Sequence, residues 1–394
     1  MVTRSSSYTS RALFWKLAVF YAAYFLAFGI YMPYWPLWLD SIGLTPLEIG
    51  WVLAGAFWIK VAAQPSAARF ADKKGKTRAL TTILMALSSL GFCYLTELNT
   101  FWMVLMVAVG TAACYQPVLP VMESVVLRHA KNNGLDYGKI RLWGSVTFII
   151  GTTGTGWWLE TNSTKDLIWL LVFAMALVAI SCAIAPNQPE ENIKKTKPQK
   201  SWKHLFTLSF ILFLITAGLI QISHSVLYGF GTLHWRNLGH SETMIGLFWS
   251  VGVLTEIILF AFAGKYKNRL GPLTLLTCAA LAGVIRWPLL AMFDSSFALF
   301  ALQTLHCLTF GAAHLGAMAF LSQTIPNEYS ATGQSLYYTL VGGIFSGCML
   351  PISGVLFTKM AGDAFYLMGA LSALALISLY LLSKSWKTQL NTIN

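Results

Sequence analysis

Twelve apolar stretches, each long enough to cross a bilayer as a helix, constrain this sequence more than any other feature. A membrane-crossing helix needs about 20 predominantly apolar residues. Only 11% of the residues are charged, against about a quarter in ordinary soluble domains, which excludes a cytosolic enzyme, a nucleic-acid binder and a disordered chain. We predict an all-α polytopic membrane protein with spans over residues 14–39, 47–70, 78–97, 101–127, 140–160, 166–185, 205–233, 242–264, 273–292, 297–322, 333–357 and 364–383.

The chain divides into two similar halves. Residues 186–204 contain three prolines and five lysines and are predicted to form a cytoplasmic linker between six-helix bundles at 1–185 and 205–394. The halves match at a constant offset of 196 residues, which pairs Gly43 with Gly239 and Gly75 with Gly271. A long internal repeat of this kind predicts two pseudo-symmetric bundles, an arrangement found in many secondary transporters.

The placement of Lys and Arg predicts the orientation. If the N-terminus is cytoplasmic, 22 of the 27 basic residues fall in cytoplasmic segments and three in the opposite loops. Positive residues are enriched on the cytoplasmic side of membrane proteins. We therefore expect a multi-pass membrane protein with both termini cytoplasmic, and the net charge of +12 needs no nucleic-acid partner.

Two equivalent loops carry a short motif. Residues 68–76 are ARFADKKGK, and residues 264–271 are GKYKNRLG. This pattern resembles the loop between the second and third helices in the major facilitator superfamily, with Ala68 in place of the leading glycine. The resemblance implies that Asp72, Gly75, Asn268 and Gly271 act in conformational gating. The physical requirement is a tight turn, with an acid that can cap a neighbouring helix.

A more specific resemblance covers nearly the whole chain. Residues 135–146, LDYGKIRLWGSV, and residues 305–310, LHCLTF, followed by His314, are similar to the phenylpropionate permease branch of that superfamily. The resemblance implies secondary active transport of a small organic substrate by alternating access, in the bacterial inner membrane. The chain contains no His-Glu-x-x-His, paired aspartates or Gly-x-Ser-x-Gly, so we expect no enzyme activity.

This branch is related to the lactose permeases, and four positions carry over. Glu123 and Arg141 match the substrate-gripping acid–arginine pair of those permeases. Arg286 and His306 match two members of their proton-coupling set. The sequence departs from the pattern three residues after the histidine, where Thr309 replaces an acid. The resemblance therefore implies that another residue carries the proton.

Charged residues inside predicted spans provide further candidates. A charge at mid-bilayer costs at least a few kcal/mol, so such residues usually face a protein interior and are functional. Lys60 and Glu256 lie 196 residues apart and occupy equivalent places in the two halves. One interpretation is an ion pair that forms and breaks during transport. The alternative is that each charge is satisfied within its own half or by lipid headgroups. Lys60 is also a candidate substrate ligand, and Glu123 and Glu256 are candidate proton carriers.

Aromatic residues predict one wall of a substrate site. Tyr24 and Tyr31 lie on one face of the first span, and Trp143 on the fifth could join them in a central cavity. Aromatic walls suit planar apolar substrates or sugars because such groups stack. The alternative is an aromatic belt at the membrane interface.

Together these features predict proton-coupled import of a small carboxylate, aromatic in character, such as 3-phenylpropionate. A proton-coupled sugar or nucleoside symporter is the first alternative. Drug efflux is disfavoured because the fifth span lacks the Gly-Pro typical of such antiporters. We expect a monomer in the lipid bilayer, with the proton gradient as energy source and no cofactor.

Overall fold

The computed structural model describes residues 3–188, 206–266, 270–326 and 329–393, and all regular elements in these ranges are helical. Short 3-10 turns cover Thr164–Asp166 and Ala361–Asp363, and π-helical turns cover Cys307–Ala312 and Leu340–Phe345. The α-helices are α1 Thr3–Ser41, α2 Pro46–Lys74, α3 Thr77–Leu95, α4 Phe101–Tyr115, α5 Val118–Asn133, α6 Tyr137–Leu159, α7 Leu167–Ile184, α8 Leu208–Ile222, α9 Ser225–Asn237, α10 Glu242–Tyr266, α11 Pro272–Met292, α12 Ser296–Thr304, α13 Ala313–Thr324, α14 Ser330–Thr339, α15 Ser346–Met360 and α16 Ala364–Ile393.

Ten segments of the described ranges are long and apolar enough to cross a membrane. One of them, Ser330–Lys387, contains the last two predicted spans, which the turn Ala361–Asp363 separates. The predicted fifth span coincides with α6, whose glycines and threonines leave it outside the ten. The predicted all-α polytopic fold is confirmed, and the count of twelve spans stays a prediction.

Four predicted spans remain within single candidate membrane segments, but each contains a local interruption of the α-helical geometry. Two of them contain the π-helical turns, between α12 and α13 and between α14 and α15. The fourth predicted span divides between α4 and α5 at Pro117, which has no N–H to donate to the preceding turn. The seventh divides between α8 and α9, where Ser223 Oγ donates to the Ile220 carbonyl and His224 Nδ1 lies 3.0 Å from the same oxygen. These side chains compete with the backbone ladder.

The chain forms two compact units. The first comprises Met1–Ile193 and Ser241–Ser250, and the second comprises Lys194–His240 and Val251–Asn394. The division at residues 193 and 194 falls in the predicted linker, of which residues 189–204 lie outside the described ranges. The start of α10 groups with the first unit, where Ser250 Oγ lies 2.6 Å from Thr152 Oγ1.

In the first unit, α1 and α6 run parallel in close contact. A Cβ added to Gly29 would lie 2.5 Å from the Phe148 carbonyl oxygen, and one added to Gly151 would lie 2.7 Å from the Leu26 carbonyl oxygen. Small residues at these positions let the two backbones approach, as in many helix pairs of membrane proteins. This packing fixes the register of α6, and with it the position of Arg141.

In the second unit, α11 packs against both α16 and α13. Gly283 of α11 faces Ser372 of α16, whose Oγ would lie 2.4 Å from an added Cβ. Gly316 of α13 faces α11, where an added Cβ would lie 3.0 Å from Leu275 Cβ and 3.1 Å from Leu276 Cγ. Because both neighbours approach closely, α11 has little freedom to rotate, and its buried residues keep a fixed direction.

The internal repeat is visible in the backbone of two turns. Gly43 and Gly239 have φ angles of +90° and +88°, which favour glycine. The motif glycines differ, because Gly75 ends α2 in the left-handed region (φ +63°), whereas Gly271 precedes α11 with φ −69°. Asp72 has an exposed side chain, and Lys76, the residue before α3, makes no side-chain cap. Asn268 lies outside the described residues, and the gating role of these four residues stays a prediction.

The α1–α6 contact yields a matched pair of substitutions. Gly151→Ala places a methyl group against the Leu26 carbonyl, and overpacking of this kind costs about 1–3 kcal/mol. Gly154→Ala lies one turn along the same helix, and its added Cβ would have no neighbouring heavy atom of another helix or side chain within 4 Å. We expect thermal unfolding of the purified protein in detergent to show a lower Tm for Gly151→Ala and an unchanged or higher Tm for Gly154→Ala. Equal stability of the two variants would contradict the close contact.

A second prediction concerns the end of α15. Ala361 is the non-glycine residue with positive φ in the described chain, at φ +46° and ψ −123°. A side chain in such a conformation costs of order 1–3 kcal/mol. We expect Ala361→Gly to raise Tm and Ala361→Val to lower it in the same unfolding assay, and the opposite order would show that the turn is not strained.

Candidate functional site

Glu123 lies on α5 of the first unit and is held by two tyrosines. Its Oε2 accepts a hydrogen bond from Tyr21 of α1 at 2.7 Å, and its Oε1 accepts one from Tyr137 at the start of α6. Three helices therefore meet at this carboxylate. Two hydroxyl donors therefore satisfy the carboxylate, and no cation of the described residues is in direct contact with it. The carboxylate can exchange one donor for another.

Arg141 lies close by on α6 and contacts aromatic rings. The central carbon of its guanidinium lies 3.9 Å from the centre of the Phe25 ring and 5.5 Å from that of Tyr21. Gly144 makes room, since an added Cβ would lie 2.7 Å from Phe25 and 3.1 Å from Arg141 Nη1. Glu123 and Arg141 thus share Tyr21 as a common neighbour.

Lys60 of α2 also faces a ring. Its Nζ lies 4.2 Å from the centre of the Phe57 ring, one turn earlier on the same helix, and the side chain is partly buried. A cation over an aromatic face is stabilised by about 0.5–2 kcal/mol, far less than the cost of burying a charge without a counter-ion. The predicted partner Glu256 belongs to the second unit.

The predicted aromatic wall separates into two places. Tyr24 stacks on Tyr115 with ring centres 5.2 Å apart, and Tyr31 lies 5.6 Å from the same ring, so both belong to the interior of the first unit. Trp143 is 40% exposed and packs on Trp15, with ring centres 5.5 Å apart. The structure does not bring Trp143 together with the two tyrosines, and their roles in substrate binding stay predictions.

A buried polar cluster occupies the second unit, and Arg286 lies at its centre. This residue of α11 is 0% exposed. Its Nη2 donates to Gln303 Oε1 at 2.7 Å, and its Nη1 donates to Thr309 Oγ1 at 2.8 Å and contacts His306 Nδ1 at 3.3 Å. All three acceptors are uncharged.

His306 connects this arginine to a carboxylate. Because Nδ1 faces an arginine N–H, it must be the acceptor nitrogen, and the ring proton is then on Nε2. Nε2 lies 3.6 Å from Glu256 Oε2, whose side chain is 19% exposed. The cluster therefore runs from a partly accessible carboxylate through a neutral imidazole to a buried guanidinium, and it unites three of the predicted proton-coupling residues.

Local helix geometry positions this cluster. The π-helical turn Cys307–Ala312 directly follows His306 and includes Thr309, and such turns occur frequently at functional sites. Gly311 lets the turn approach α10, since an added Cβ would lie 2.8 Å from Leu259 and 3.6 Å from Glu256 Cγ. Glycine at this position thus allows Glu256 to reach His306.

Sequence reasoning missed several residues of both clusters. Tyr21, Phe25 and Tyr137 surround the Glu123–Arg141 region, and Gln303 completes the environment of Arg286. Helical spacing carried a usable signal for two of them, since Gln303 lies three residues before His306 and Tyr21 lies three before Tyr24. Nothing in the sequence marked Phe25 as the neighbour of an arginine.

A model of the MFS_1 like family matches residues 14–368. The chain belongs to this family of the major facilitator superfamily. It is 29% identical over 355 residues to a probable 3-phenylpropionic acid transporter of Escherichia coli (strain K12), covering 89% of this chain and 93% of that protein. It is 24% identical over 380 residues to a maltose permease of Geobacillus stearothermophilus, covering 94% of each.

Solved structures agree on the fold. A mutant of the nucleoside transporter NupG superposes with a TM-score of 0.84 at 14% identity, covering 94% of this chain and 99% of that one. A bacterial homologue of the human lysosomal transporter Spinster gives a TM-score of 0.72 at 12% identity, covering 98% and 99%. The protein is therefore a multi-pass membrane transporter of the major facilitator type with a small-molecule substrate, and it is not an enzyme.

The environment of Arg286 gives a stability prediction. Thr309→Val removes an acceptor of Arg286 Nη1 with little change in shape, and a buried donor left with fewer partners costs about 1–3 kcal/mol. Thr304→Val, at the exposed end of α12, removes only a bond to the Ala301 carbonyl. We expect the Tm of Thr309→Val to fall by several degrees more than that of Thr304→Val, and equal values would argue against the contact.

Proposed function

We propose that this transporter imports a small aromatic carboxylate together with protons by alternating access. The 29% identity to a probable 3-phenylpropionic acid transporter supports this substrate class. We further propose that it lies in a bacterial inner membrane with both termini cytoplasmic, acts as a monomer and uses the proton gradient without a cofactor. The positive-inside pattern of the basic residues supports this orientation.

The contacts of three cations within the helices carry the proposal. Lys60, Arg141 and Arg286 lie on α2, α6 and α11. Among the described residues, no carboxylate oxygen lies within 4 Å of any of these three cations. Each cation instead contacts rings or uncharged acceptors. A carboxylate substrate would supply the missing negative charge, which is expensive to leave absent in a medium of low dielectric constant.

Aromatic side chains accompany these cations and support the aromatic character of the substrate. Phe57 lies beneath Lys60 and Phe25 beneath Arg141, and the Arg286 guanidinium carbon lies 4.8 Å from the centre of the Trp287 ring. A planar apolar body next to a carboxylate can therefore pack on a ring while its charge meets a cation.

We assign proton coupling to the chain of Glu256, His306 and Arg286. A proton that enters at Glu256 removes the negative charge opposite His306 Nε2. The imidazole Nε2 then has no anion beside it. No negative charge remains on the far side of the ring to balance the positive charge of Arg286. A substrate carboxylate restores that compensation, so proton and anion favour each other's binding, as symport requires.

A sugar or nucleoside symporter is the second candidate. Glu123 accepts hydrogen bonds from two hydroxyl groups, a geometry that sugar hydroxyls can reproduce by displacing Tyr21 or Tyr137. Among the relatives, the maltose permease at 24% identity is compatible with this alternative. In that case the cations orient a neutral substrate and do not neutralise an anion.

Uptake of radiolabelled 3-phenylpropionate into proteoliposomes tests the proposal. We expect accumulation that depends on an inward proton gradient, and at least a tenfold loss of rate in Glu123→Gln and Arg141→Lys. The first variant removes the charge that accepts from two tyrosines, and the second replaces a planar cation that stacks on Phe25. Matched controls are Glu97→Gln and Arg11→Lys, which change exposed residues of the first unit.

Three results would count against the proposal in different ways. Uptake of maltose or a nucleoside without uptake of the acid would favour the second candidate. Uptake of the acid that ignores the proton gradient would remove the coupling. Normal rates in both site variants would exclude Glu123 and Arg141 from the transport mechanism.

A further inference from the structure

The surroundings of Arg286 contain fewer acceptors than donors. A guanidinium has five N–H groups, and three acceptors reach this one, namely Gln303 Oε1, Thr309 Oγ1 and His306 Nδ1. Among the described residues its Nε is buried without a partner, and so is the amide nitrogen Nε2 of Gln303, whose oxygen binds Arg286. Each buried donor without an acceptor costs about 1–3 kcal/mol.

These two partnerless donors belong to side chains that are joined by a hydrogen bond, so they lie in one small region. Arg286 is 0% exposed and Gln303 is 2% exposed. A carboxylate offers two oxygens with about four lone pairs and binds arginine in a charge-assisted, often bidentate way. A carboxylate can therefore accept from an arginine Nε and an amide nitrogen at once.

The identity of residue 303 bears directly on charge. An amide at 2.7 Å from Nη2 accepts a hydrogen bond and leaves the guanidinium charge uncompensated. A glutamate at the same position would have the same shape and would neutralise Arg286 permanently. Gln303 thus keeps the cation available to an anion from outside the protein.

The groups around the pair are largely aromatic. Trp287 adjoins Arg286, and Phe310 stacks on His306 with ring centres 5.3 Å apart. Phe310 and Tyr228 are partly exposed, and the Tyr228 ring centre lies 6.4 Å from that of His306. An aromatic acid can place its ring among these side chains while its carboxylate meets the arginine.

We propose that Arg286 and Gln303 form the carboxylate-binding subsite of the substrate site, and that Gln303 sets its selectivity for an anion. This inference rests on the proposed function, because it presupposes a carboxylate substrate. It assigns Arg286 direct contact with the substrate in addition to its proposed part in proton coupling. The substrate carboxylate and the proton on Glu256 then lie on opposite sides of His306.

Gln303→Glu tests the proposal, since it changes charge at nearly constant shape. Binding of 3-phenylpropionate and of its uncharged analogue 3-phenylpropionamide is measured by isothermal titration calorimetry on the full-length protein in detergent. We expect the wild type to prefer the acid at least tenfold, and Gln303→Glu to lose that preference while its Tm stays at or above the wild-type value. Gln323→Glu, an exposed change in the same unit, should retain the preference.

The other outcomes separate the inference from the proposed function. If the wild type prefers the acid and Gln303→Glu does so equally, the subsite is not at Arg286 and the inference fails, while the proposed function stands. A loss of preference in Arg141→Gln but not in Gln303→Glu would locate the carboxylate in the first unit instead. If the wild type binds the amide or a sugar and ignores the acid, the proposed function itself fails.

If Gln303→Glu unfolds, Gln303→Met provides the second variant. It keeps the length of the side chain and removes both the amide oxygen and the partnerless nitrogen without adding charge. We expect the affinity for the acid to fall by about three- to tenfold and the affinity for the amide analogue to change less. An unchanged ratio of the two affinities would overturn the role of Gln303.

Discussion

A guanidinium that is buried without a carboxylate of the described residues in contact imposes strict conditions on the second unit. The cost of placing such a charge inside a membrane protein is several kcal/mol, and it is offset only while every acceptor stays in position. The acceptors of Arg286 come from α12, from the π-helical turn and from His306, which directly precedes that turn. The close approach of α11 to α16 and α13 at Gly283 and Gly316 keeps the guanidinium in register with them.

The first unit satisfies its charges differently. Arg141 rests on an aromatic ring, and Glu123 accepts from two phenol groups. Breaking a buried ion pair costs about 3–5 kcal/mol, whereas hydroxyl and ring contacts of this kind are individually weaker. Groups held in this way can trade a protein partner for a ligand at low cost. Such exchange is what a substrate site needs, because it must release as well as bind.

The sequence was sufficient to predict the class of fold and the family. Long apolar stretches leave few alternatives to membrane helices. The internal repeat extends to the backbone conformation, since Gly43 and Gly239 both have positive φ angles. Breaks within spans escaped prediction because they depend on local competition, as at Ser223 and His224, where side chains take a carbonyl from the helix ladder. Hydropathy is insensitive to such competition.

The sequence identified members of the buried cluster where charge alone marks a residue, and it missed those that only contacts between helices reveal. Arg286, His306 and Glu256 were recognised as rare charged or titratable groups in apolar surroundings, and the structure brings them together. Gln303 and Tyr21 are ordinary polar residues in sequence, and only the packing of α11 and α1 shows what they contact. Trp143 was grouped with Tyr24 by residue type, but it lies on the exposed face of α6.

In a transport cycle the same buried cluster must be stable both with and without its ligand. A carboxylate at residue 303 would make the empty state stable and the loaded state repulsive, since two anions would then compete for one guanidinium. In the proposed function, uncharged acceptors give the empty state enough hydrogen bonds to fold and leave the charge of Arg286 for the substrate. In the same proposal, Glu256 beyond the neutral imidazole is an anion that a proton can remove, so the attraction of the cluster for a second anion depends on protonation.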